Sequence, residues 1–289
     1  MSEGMIRSAI GGFYEIESGD RLYTCKARGV FRHIGVTPLP GDRVSFEIPK
    51  DGFARISAVL ERRNAIKRPA VANIDILFIV ISAQYPEPDL LLTDKLILEA
   101  VSNRIMPVIV LNKTDMAKDS VLDSIPAQYR AFTVLQVSAH TGAGIDKIEM
   151  MIRGHICCFA GQSGVGKSSI LNALMNTAAM KTGDISGKTE HGRHTTRETR
   201  LFPCAGGFIF DTPGFSLYET DGFDPGVLME AYPELVTKEQ CRFLGCRHIS
   251  EPGCAVKAMV ANGEVNKERY ERYTLLYEEF ENRRKHRYD

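Results

Sequence analysis

The chain has 289 residues, 44% hydrophobic and 25% charged with a formal net charge of zero, which is ordinary for a soluble globular protein with two or three domains. No apolar run approaches membrane-spanning length, no N-terminal stretch resembles a signal peptide, and seven cysteines, an odd number, argue against a fully paired disulfide framework. We therefore expect a cytosolic protein with reduced thiols.

The charge is unevenly distributed along the chain. Residues 1–68 carry 12 Lys and Arg against 8 Asp and Glu, residues 69–235 carry 13 against 19, and residues 236–289 carry 11 against 9. The centre is therefore acidic and both ends are basic. This pattern predicts that a polyanionic partner binds the ends.

Residues 1–66 are predicted to form a small β-barrel. Short apolar and aromatic runs at 6–16, 22–31, 43–48 and 53–60 are separated by turn residues and lack helical periodicity. The OB-fold is one candidate, and a small sandwich or an SH3-like barrel fits the pattern nearly as well. Basic and aromatic residues here predict either a nucleic-acid-binding face or an ordinary solvated surface. They are Arg28, Arg32, His33, Arg55, Arg62, Arg63, Tyr14, Tyr23 and Phe31.

Strands and helices are predicted to alternate after a linker at residues 67–69. The predicted strands are 74–81, 107–111, 132–137, 156–160 and 207–210, and the predicted helices are 89–103 and 144–153. Alternation of this kind predicts a parallel sheet with helices on both faces. Residues 177–200 are polar and show little periodicity.

A glycine-rich turn joins the strand at 156–160 to a run from residue 170 whose apolar residues recur at helical spacing. The turn matches G-x-x-x-x-G-K-S, a P-loop, in which backbone N–H groups and the positive end of the helix bind phosphate. Lys167 is predicted to reach the β- and γ-phosphates and Ser168 to bind Mg²⁺. The predicted nucleoside triphosphate site comprises Gly161, Gln162, Ser163, Gly164, Val165, Gly166, Lys167, Ser168 and Ser169.

Two short motifs predict that the base is guanine. N-K-x-D follows the strand at 107–111, and its Asp115 can accept from the ring N–H and the exocyclic amine that guanine offers and adenine lacks. Asn112 can donate to a guanine acceptor. A Ser-Ala pair follows the strand at 132–137, where a backbone N–H would meet the base carbonyl. The residues of the two motifs are Asn112, Lys113, Thr114, Asp115, Ser138 and Ala139.

A D-x-x-G motif follows the last predicted strand. Asp211 would hold Mg²⁺ through water, the Gly214 N–H would contact the γ-phosphate, and either Thr195 or Thr196 would complete the magnesium shell. N-K-x-D precedes the P-loop here, which is the reverse of an ordinary G domain, so the motif order predicts a circular permutation. Residues 153–155 would join the original termini, which often lie close together in a domain.

The sequence predicts slow hydrolysis by the free protein. Ras-like GTPases place a Gln after D-x-x-G to orient the attacking water, and Phe215 at that position cannot do so. His194 is our candidate for that role, with loop structure or an RNA contact as the alternative. Alternatively, a group supplied by a partner would orient the attacking water.

A cluster of soft metal ligands lies near the C-terminus. Cys241, Cys246, His248 and Cys254 form C-x4-C-x-H-x5-C, which suits one closed tetrahedral structural zinc site better than unpaired cysteines or disulfides. Residues 264–289 then predict a charged helix with a basic end. Its aromatic residues at helical spacing favour a docked helix, and the basic end is either solvated or an RNA contact.

The permuted motif order together with this ligand spacing resembles the RsgA (YjeQ/YloQ) family, the circularly permuted, ribosome small-subunit-dependent GTPases of bacteria. Residues 68–75, R-P-A-V-A-N-I-D, add to the resemblance, which covers nearly the whole chain. It implies an α/β fold with an OB-fold barrel at 1–66, a permuted G domain at 67–220 and a zinc-binding, mainly helical domain at 221–289. It also implies binding to 16S rRNA and GTP hydrolysis that the small subunit stimulates in late assembly. We expect the protein to be a monomer.

Two other functions remain open from the sequence. In the first, the protein is an RNA-binding assembly scaffold in which GTP is a sensing or structural ligand. In the second, the P-loop belongs to a small-molecule kinase, which guanine-selective binding would exclude.

Overall fold

A computed structural model describes residues 1–29, 31, 35–49, 53–67, 69–182, 199–211, 225–237 and 239–285. The first five strands form a closed barrel. β1 pairs with β2 and β4, β3 pairs with β2 and β5, and β4 pairs with β5, so every strand has two neighbours. The predicted barrel is confirmed. The strands are β1 (Ser2–Ile10), β2 (Phe13–Ser18), β3 (Arg21–Ala27), β4 (Arg43–Glu47) and β5 (Ala54–Val59).

Two details of the barrel differ from the sequence prediction. The run at residues 6–16 is two strands, because Gly11 and Gly12 adopt positive φ angles of 56° and 83° and form a turn. Of the predicted basic and aromatic set, Arg32 and His33 lie outside the described residues, and the three aromatic members do not form an exposed face. Phe31 is in the barrel core, and Tyr14 and Tyr23 pack against that core, because their positions alternate with outward-facing ones.

The predicted linker lies in a hairpin. Strand β6 (Ala65–Lys67) pairs antiparallel with β7 (Ala70–Ala72), and the chain turns between them. The hairpin contacts the barrel through the Ala72 N–H, which donates to the carbonyl of Pro40 at 2.9 Å.

The central sheet has the order β10-β9-β8-β11-β13-β12. All its strands are parallel except β12, which pairs antiparallel with β13 and also with barrel strand β1, through Ser8 and Arg200. The predicted parallel sheet is confirmed. Its strands are β8 (Ile76–Ser82), β9 (Met106–Asn112), β10 (Thr133–Gln136), β11 (Ile156–Ala160), β12 (Arg200–Cys204) and β13 (Gly207–Asp211).

Strand β12 was not predicted, since it contains Pro203, which is disfavoured within a sheet away from its edge. Helices cover both faces of the central sheet, and each face has its own apolar core. Asp89 caps the first helix by accepting from the Leu92 N–H at 2.8 Å. These helices are α1 (Leu90–Ser102), α2 (Asp119–Gln128), α3 (Ile145–Ile152) and α4 (Lys167–Thr182).

The C-terminal region is mainly helical, as predicted. It comprises α5 (Pro225–Leu228), α6 (Ala255–Ala261), α7 (Lys267–Lys285) and two 3-10 turns, Met229–Ala231 and Pro233–Leu235. The docked helix is confirmed, because α7 buries an apolar stripe in the core it shares with the central sheet. The stripe consists of Tyr273, Leu276, Tyr277 and Phe280. Among the described helices, none combines the length and apolar character needed to span a membrane.

Candidate functional site

The three predicted nucleotide motifs meet at one edge of the central sheet. From β8 the chain adds β9 and β10 on one side, and then crosses to place β11 and β13 on the other side. Ligands bind at such a reversal of strand order, beyond the carboxyl ends of the strands. The P-loop follows β11, N-K-x-D begins at the last residue of β9, and the Ser-Ala pair follows β10.

The P-loop turn depends on glycine at two positions. Gly161 has a φ of +135°, and a Cβ there would lie 2.1 Å from the carbonyl O of Val80. Gly166 has a φ of +98°, and a Cβ there would lie 2.3 Å from Nδ2 of Asn112. Both distances are far below van der Waals contact, so the sequence pattern of the turn follows from how closely its backbone approaches β8 and the residue that ends β9.

Lys167 folds back over the loop. Its Nζ donates to the carbonyls of Gly161 at 2.7 Å and Gln162 at 2.8 Å, and partial burial lowers the pKa of its ammonium group. Ser168 and Ser169 are exposed in the first turn of α4, where the helix dipole favours an anion. The Lys167 ammonium group and the exposed N-terminus of α4 can both bind the negatively charged oxygens of a phosphate chain.

Asn112 joins the motifs to one another. Its side chain is only 1% exposed; Nδ2 donates to the carbonyl of Val165 at 2.9 Å, and Oδ1 accepts from the Ala139 N–H at 3.1 Å. One amide therefore ties N-K-x-D to both the P-loop and the Ser-Ala pair. The donation to guanine that the sequence predicts for Asn112 stays a prediction.

Lys113 makes a second bridge. Its Nζ donates to the carbonyls of Gly164 at 2.8 Å and of Tyr85 at 2.5 Å, in the loop after β8. Sequence reasoning missed Tyr85, because it contributes a backbone carbonyl, a group that every residue has and no motif marks.

The remaining guanine-motif residues differ in exposure. Thr114 Oγ1 donates to the Val137 carbonyl at 3.0 Å, and the buried Ser138 Oγ accepts from the Thr141 N–H at 3.1 Å. Asp115 lies in the 3-10 turn Thr114–Met116 and is exposed. The hydroxyl groups brace the loops, and the Asp115 carboxylate is accessible to a ligand.

Several predicted site residues lie outside the described part of the chain. They are His194, Thr195, Thr196 and Gly214, together with Phe215. The backbone of Asp211 ends β13, at the same sheet edge as the P-loop, and its side chain is not among those described. The magnesium and catalytic assignments therefore stay predictions.

The predicted metal ligands come together. The ligand atoms of Cys241, Cys246, His248 and Cys254 all lie within 4.8 Å of one another. Nδ1 of His248 is 3.6 Å from Sγ of Cys241 and 3.3 Å from Sγ of Cys254, and these two sulfur atoms are 4.0 Å apart. Metal–sulfur bonds of about 2.3 Å in a tetrahedron place sulfur atoms about 3.8 Å apart. The four residues therefore fit a structural metal site.

Helix α7 supports the metal cluster from one side. Tyr270 Oη donates to the carbonyl of His248 at 2.6 Å, and Tyr273 Oη donates to the carbonyl of Arg247 at 2.7 Å. The sequence periodicity predicted that these tyrosines face the protein. It did not indicate that their hydroxyl groups hold the ligand loop.

A buried ionic cluster, which sequence reasoning missed, joins α7 to α1. Asp94 on α1 and Arg269 on α7 are both 0% exposed and form an ion pair, and Arg272 Nε donates to the other carboxylate oxygen at 2.7 Å. The hydroxyls of Tyr129 and Tyr232 also donate to Asp94, at 2.7 and 3.0 Å. We call these five residues the junction cluster.

The two tyrosines of the junction cluster remain protonated. Burial raises the pKa of the Tyr129 and Tyr232 hydroxyls, and the nearby Asp94 carboxylate raises both further. The guanidinium of Arg269 lies 4.1 Å from the ring centroid of Tyr232 and 4.7 Å from that of Tyr129. The tyrosines therefore stay neutral donors and flank the cation with their rings.

Two family profiles match the chain. The profile described as RsgA N-terminal domain matches residues 3–56, and the profile described as RsgA GTPase matches residues 59–221. The first match corresponds to the barrel. The second covers more than half of the chain.

Full-length relatives and solved structures are also similar. A protein from Ruminiclostridium cellulolyticum named small ribosomal subunit biogenesis GTPase RsgA is 42% identical over 96% of this chain and 93% of its own. One of the same name from Geobacillus sp. strain WCH70 is 40% identical over 98% and 99%.

Two crystal structures have the same fold. YjeQ from Thermotoga maritima is 32% identical with a TM-score of 0.83, over 96% of this chain and 98% of that one. YloQ, described as a circularly permuted GTPase, is 32% identical with a TM-score of 0.81, over 98% and 96%. The predicted permutation is thereby confirmed.

Proposed function

The chain belongs to the RsgA family of GTPases, as its motifs indicated, and from this premise we propose that it binds the small ribosomal subunit and hydrolyses GTP in late subunit assembly. The observation that carries the proposal is the Asn112 amide, which ties N-K-x-D, the Ser-Ala pair and the P-loop into one site. Since each segment serves a different part of GTP, only their convergence makes a GTP site.

Guanine is recognised in this proposal by Asp115 and the Ala139 N–H. The exposed carboxylate accepts from the ring N–H and the exocyclic amine. The Ala139 N–H, which donates to Asn112 Oδ1 in the described structure, would share that bond with the base carbonyl. Adenine would leave these groups unpaired, which disfavours it strongly. The Lys113 stem covers the base plane, because its ammonium group already reaches across to Gly164.

Phosphate binding requires an exchange of partners at Lys167. In the described structure its ammonium group binds the carbonyls of Gly161 and Gln162. The β- and γ-phosphate oxygens would replace or join these acceptors and stabilise the charge that develops on the transferred phosphoryl group. Magnesium, when bound, would neutralise negative charge on the phosphate chain; Ser168 and Asp211, with Thr195 or Thr196, would hold it, and Gly214 would contact the γ-phosphate.

Hydrolysis is proposed to be slow without the partner. Phe215 cannot orient water, so His194 or a group supplied by the small subunit completes the site. If the subunit completes it, stimulation by the subunit follows directly.

We also propose that the metal of the Cys-His cluster is a single structural zinc ion. Three thiolates and one imidazole leave no open coordination position, and this donor set favours zinc among common metals. Zinc would fix the loop between Cys241 and Cys254.

The three-domain division at 1–66, 67–220 and 221–289 is part of the proposal, and the β6–β7 hairpin then straddles the first boundary. The protein is proposed to act as a monomer away from membranes. The RNA contact is 16S rRNA, met by the basic ends of the chain.

The test compares GTP turnover with and without purified small subunits, alongside co-sedimentation in GDP and in a non-hydrolysable GTP analogue. We expect stimulated turnover and tighter binding with the analogue. Binding without stimulation would support the scaffold alternative instead. His194→Ala should lower stimulated kcat with nucleotide affinity intact, and an unchanged kcat would remove His194 from the mechanism.

A further inference from the structure

Two phenylalanine rings form an exposed pair on the barrel. Phe13 begins β2 directly after the Gly11 turn, and Phe53 immediately precedes β5. Their ring centroids are 5.4 Å apart with an edge-to-face angle of 69°, and the residues are 38% and 52% exposed. The pair is thus ordered by its own contact and still accessible to solvent.

Cationic side chains accompany the pair. Nζ of Lys26 lies 4.8 Å from the Phe13 ring centroid and 4.9 Å from that of Phe53. Lys26 pairs with Phe13 on one side and with Arg55 on the other, so the three residues form a row across the barrel. Arg55 is exposed, and Glu47 opposite it is paired with Arg28 at 2.6 Å.

The position of the pair matches where barrels of this kind bind oligonucleotides. OB-folds use the face of strands 2 and 3 together with the loops between strands 1 and 2 and between strands 4 and 5. Phe13 adjoins the first of these loops and Phe53 the second, with Lys26 on β3 between them. Aromatic rings at such sites stack on bases, while cations bind the phosphates.

We propose that Phe13, Phe53 and Lys26 form a base-stacking site for an unpaired nucleotide of RNA. This inference rests on the proposed function and specifies the chemistry of its RNA contact. An unpaired base fits because it offers a planar face to a ring and its phosphate offers a charge to Lys26 or Arg55. A protein partner is the other outcome of the test.

The chain lacks tryptophan, which allows a direct test. Phe53→Trp introduces a single indole at the proposed site, and Leu22→Trp, at a 62% exposed position elsewhere on the barrel, is the matched control. Each full-length variant is titrated with a single-stranded RNA of about eight nucleotides and with an abasic oligomer of the same length. We expect the base-bearing RNA to quench only the Phe53→Trp fluorescence, and the abasic oligomer to quench neither.

A second pair of variants separates stacking from packing. In the Phe53→Trp background, Phe13→Leu should weaken RNA binding about tenfold or more, whereas Phe13→Tyr keeps the ring and should keep the affinity. Thermal unfolding verifies that each variant is folded. Equal affinities for Phe13→Leu and Phe13→Tyr, or equal quenching by the abasic oligomer, would overturn the inference.

Failure of the inference is distinguishable from failure of the proposed function. Quenching by intact small subunits but not by the RNA oligomer or by isolated 16S rRNA would identify a protein contact and overturn the stacking site, with subunit-stimulated turnover still standing. Absence of stimulated turnover in the unsubstituted chain would instead refute the proposed function.

Discussion

The nucleotide edge and the junction cluster are both built from charged and polar side chains, and they use them in opposite ways. At the nucleotide edge, Lys167 and Lys113 bind backbone carbonyls, and Asp115 and Ser168 are exposed. In the junction cluster, Asp94 and Arg269 are fully buried, and the Asp94 carboxylate accepts from four side chains.

The difference shows which groups are available to a ligand. A cation on neutral carbonyls gains when a phosphate replaces them, because a charged acceptor binds more strongly than a neutral one. A buried ion pair whose partners are already charged and aligned gains nothing from a ligand and loses much if one partner is removed. We therefore assign binding to the first region and attachment of the C-terminal helices to the second.

Removal of the metal is the largest perturbation that tests this comparison. Structural zinc sites contribute about 10–16 kcal/mol of binding free energy in zinc-finger peptides, so the loop between Cys241 and Cys254 should open on chelation. Helix α7 should stay docked, because the junction cluster holds it independently of the metal. We expect thiol labelling of the native chain to rise on chelation at Cys241, Cys246 and Cys254 alone.

The other four cysteines are the control, since Cys25, Cys157, Cys158 and Cys204 are buried in the barrel and sheet cores. Hydrogen exchange along α7 should change little at the turns that carry Arg269 and Arg272. Loss of protection there, or labelling of the core cysteines, would mean that the metal and not the junction cluster attaches the helix.

Asp94→Asn should destabilise the protein by about 3 kcal/mol, because it removes the carboxylate that the buried Arg269 shares with the partly buried Arg272 and leaves Arg269 with the Glu234 carboxylate at 2.7 Å. Urea unfolding measures the change. Glu271→Gln is the matched control on α7, since its ion pair with Lys267 is exposed, and it should leave the unfolding free energy almost unchanged. Similar effects of the two substitutions would contradict the role given to the junction cluster.

Asp115→Asn should weaken GDP binding about 100-fold or more, because an amide cannot accept both guanine hydrogen bonds. Binding of xanthosine diphosphate should improve, since xanthine offers one donor and one acceptor there. Calorimetric titration measures both. Asp119→Asn, an exposed carboxylate at the start of α2, is the control and should change neither affinity. Unchanged guanine selectivity in Asp115→Asn would show that the guanine base does not bind beside N-K-x-D.

The smallest expected change in stability concerns Glu99, which lies on the same helix as Asp94. Burial raises its pKa, which the Asn103 hydrogen bond lowers in part. The folded chain therefore binds this proton more tightly than the unfolded chain, and the unfolding free energy falls as pH rises from the unfolded pKa through the folded one.

Glu99→Gln should accordingly raise stability at pH 7, by about 0.5 kcal/mol or less, and flatten this part of the pH profile. Urea unfolding at pH 5 and pH 7 gives the comparison. Destabilisation at pH 7 would indicate that Glu99 has a charged partner that benefits from its ionised form.

The sequence predicted the barrel and most of its turns, but not which of its aromatic side chains face outward. Its turn residues separated four apolar runs, but the run at 6–16 contains a turn at Gly11 and Gly12 and forms two of the five strands. Without the register, Tyr14 and Tyr23 seemed as exposed as any aromatic residue. In fact they pack on the core, and the outward ring is Phe13, one position earlier.

The sequence by itself determined the motifs and the family, because each motif for phosphate, guanine or metal binding is contained in one short stretch of the chain. The tertiary structure alone decided which side chains connect those segments. Asn112 meets Val165 across 53 positions, and Asp94 meets Arg269 across 175. Contacts over such separations leave no local pattern, since they depend on how strands and helices pack and not on chain spacing.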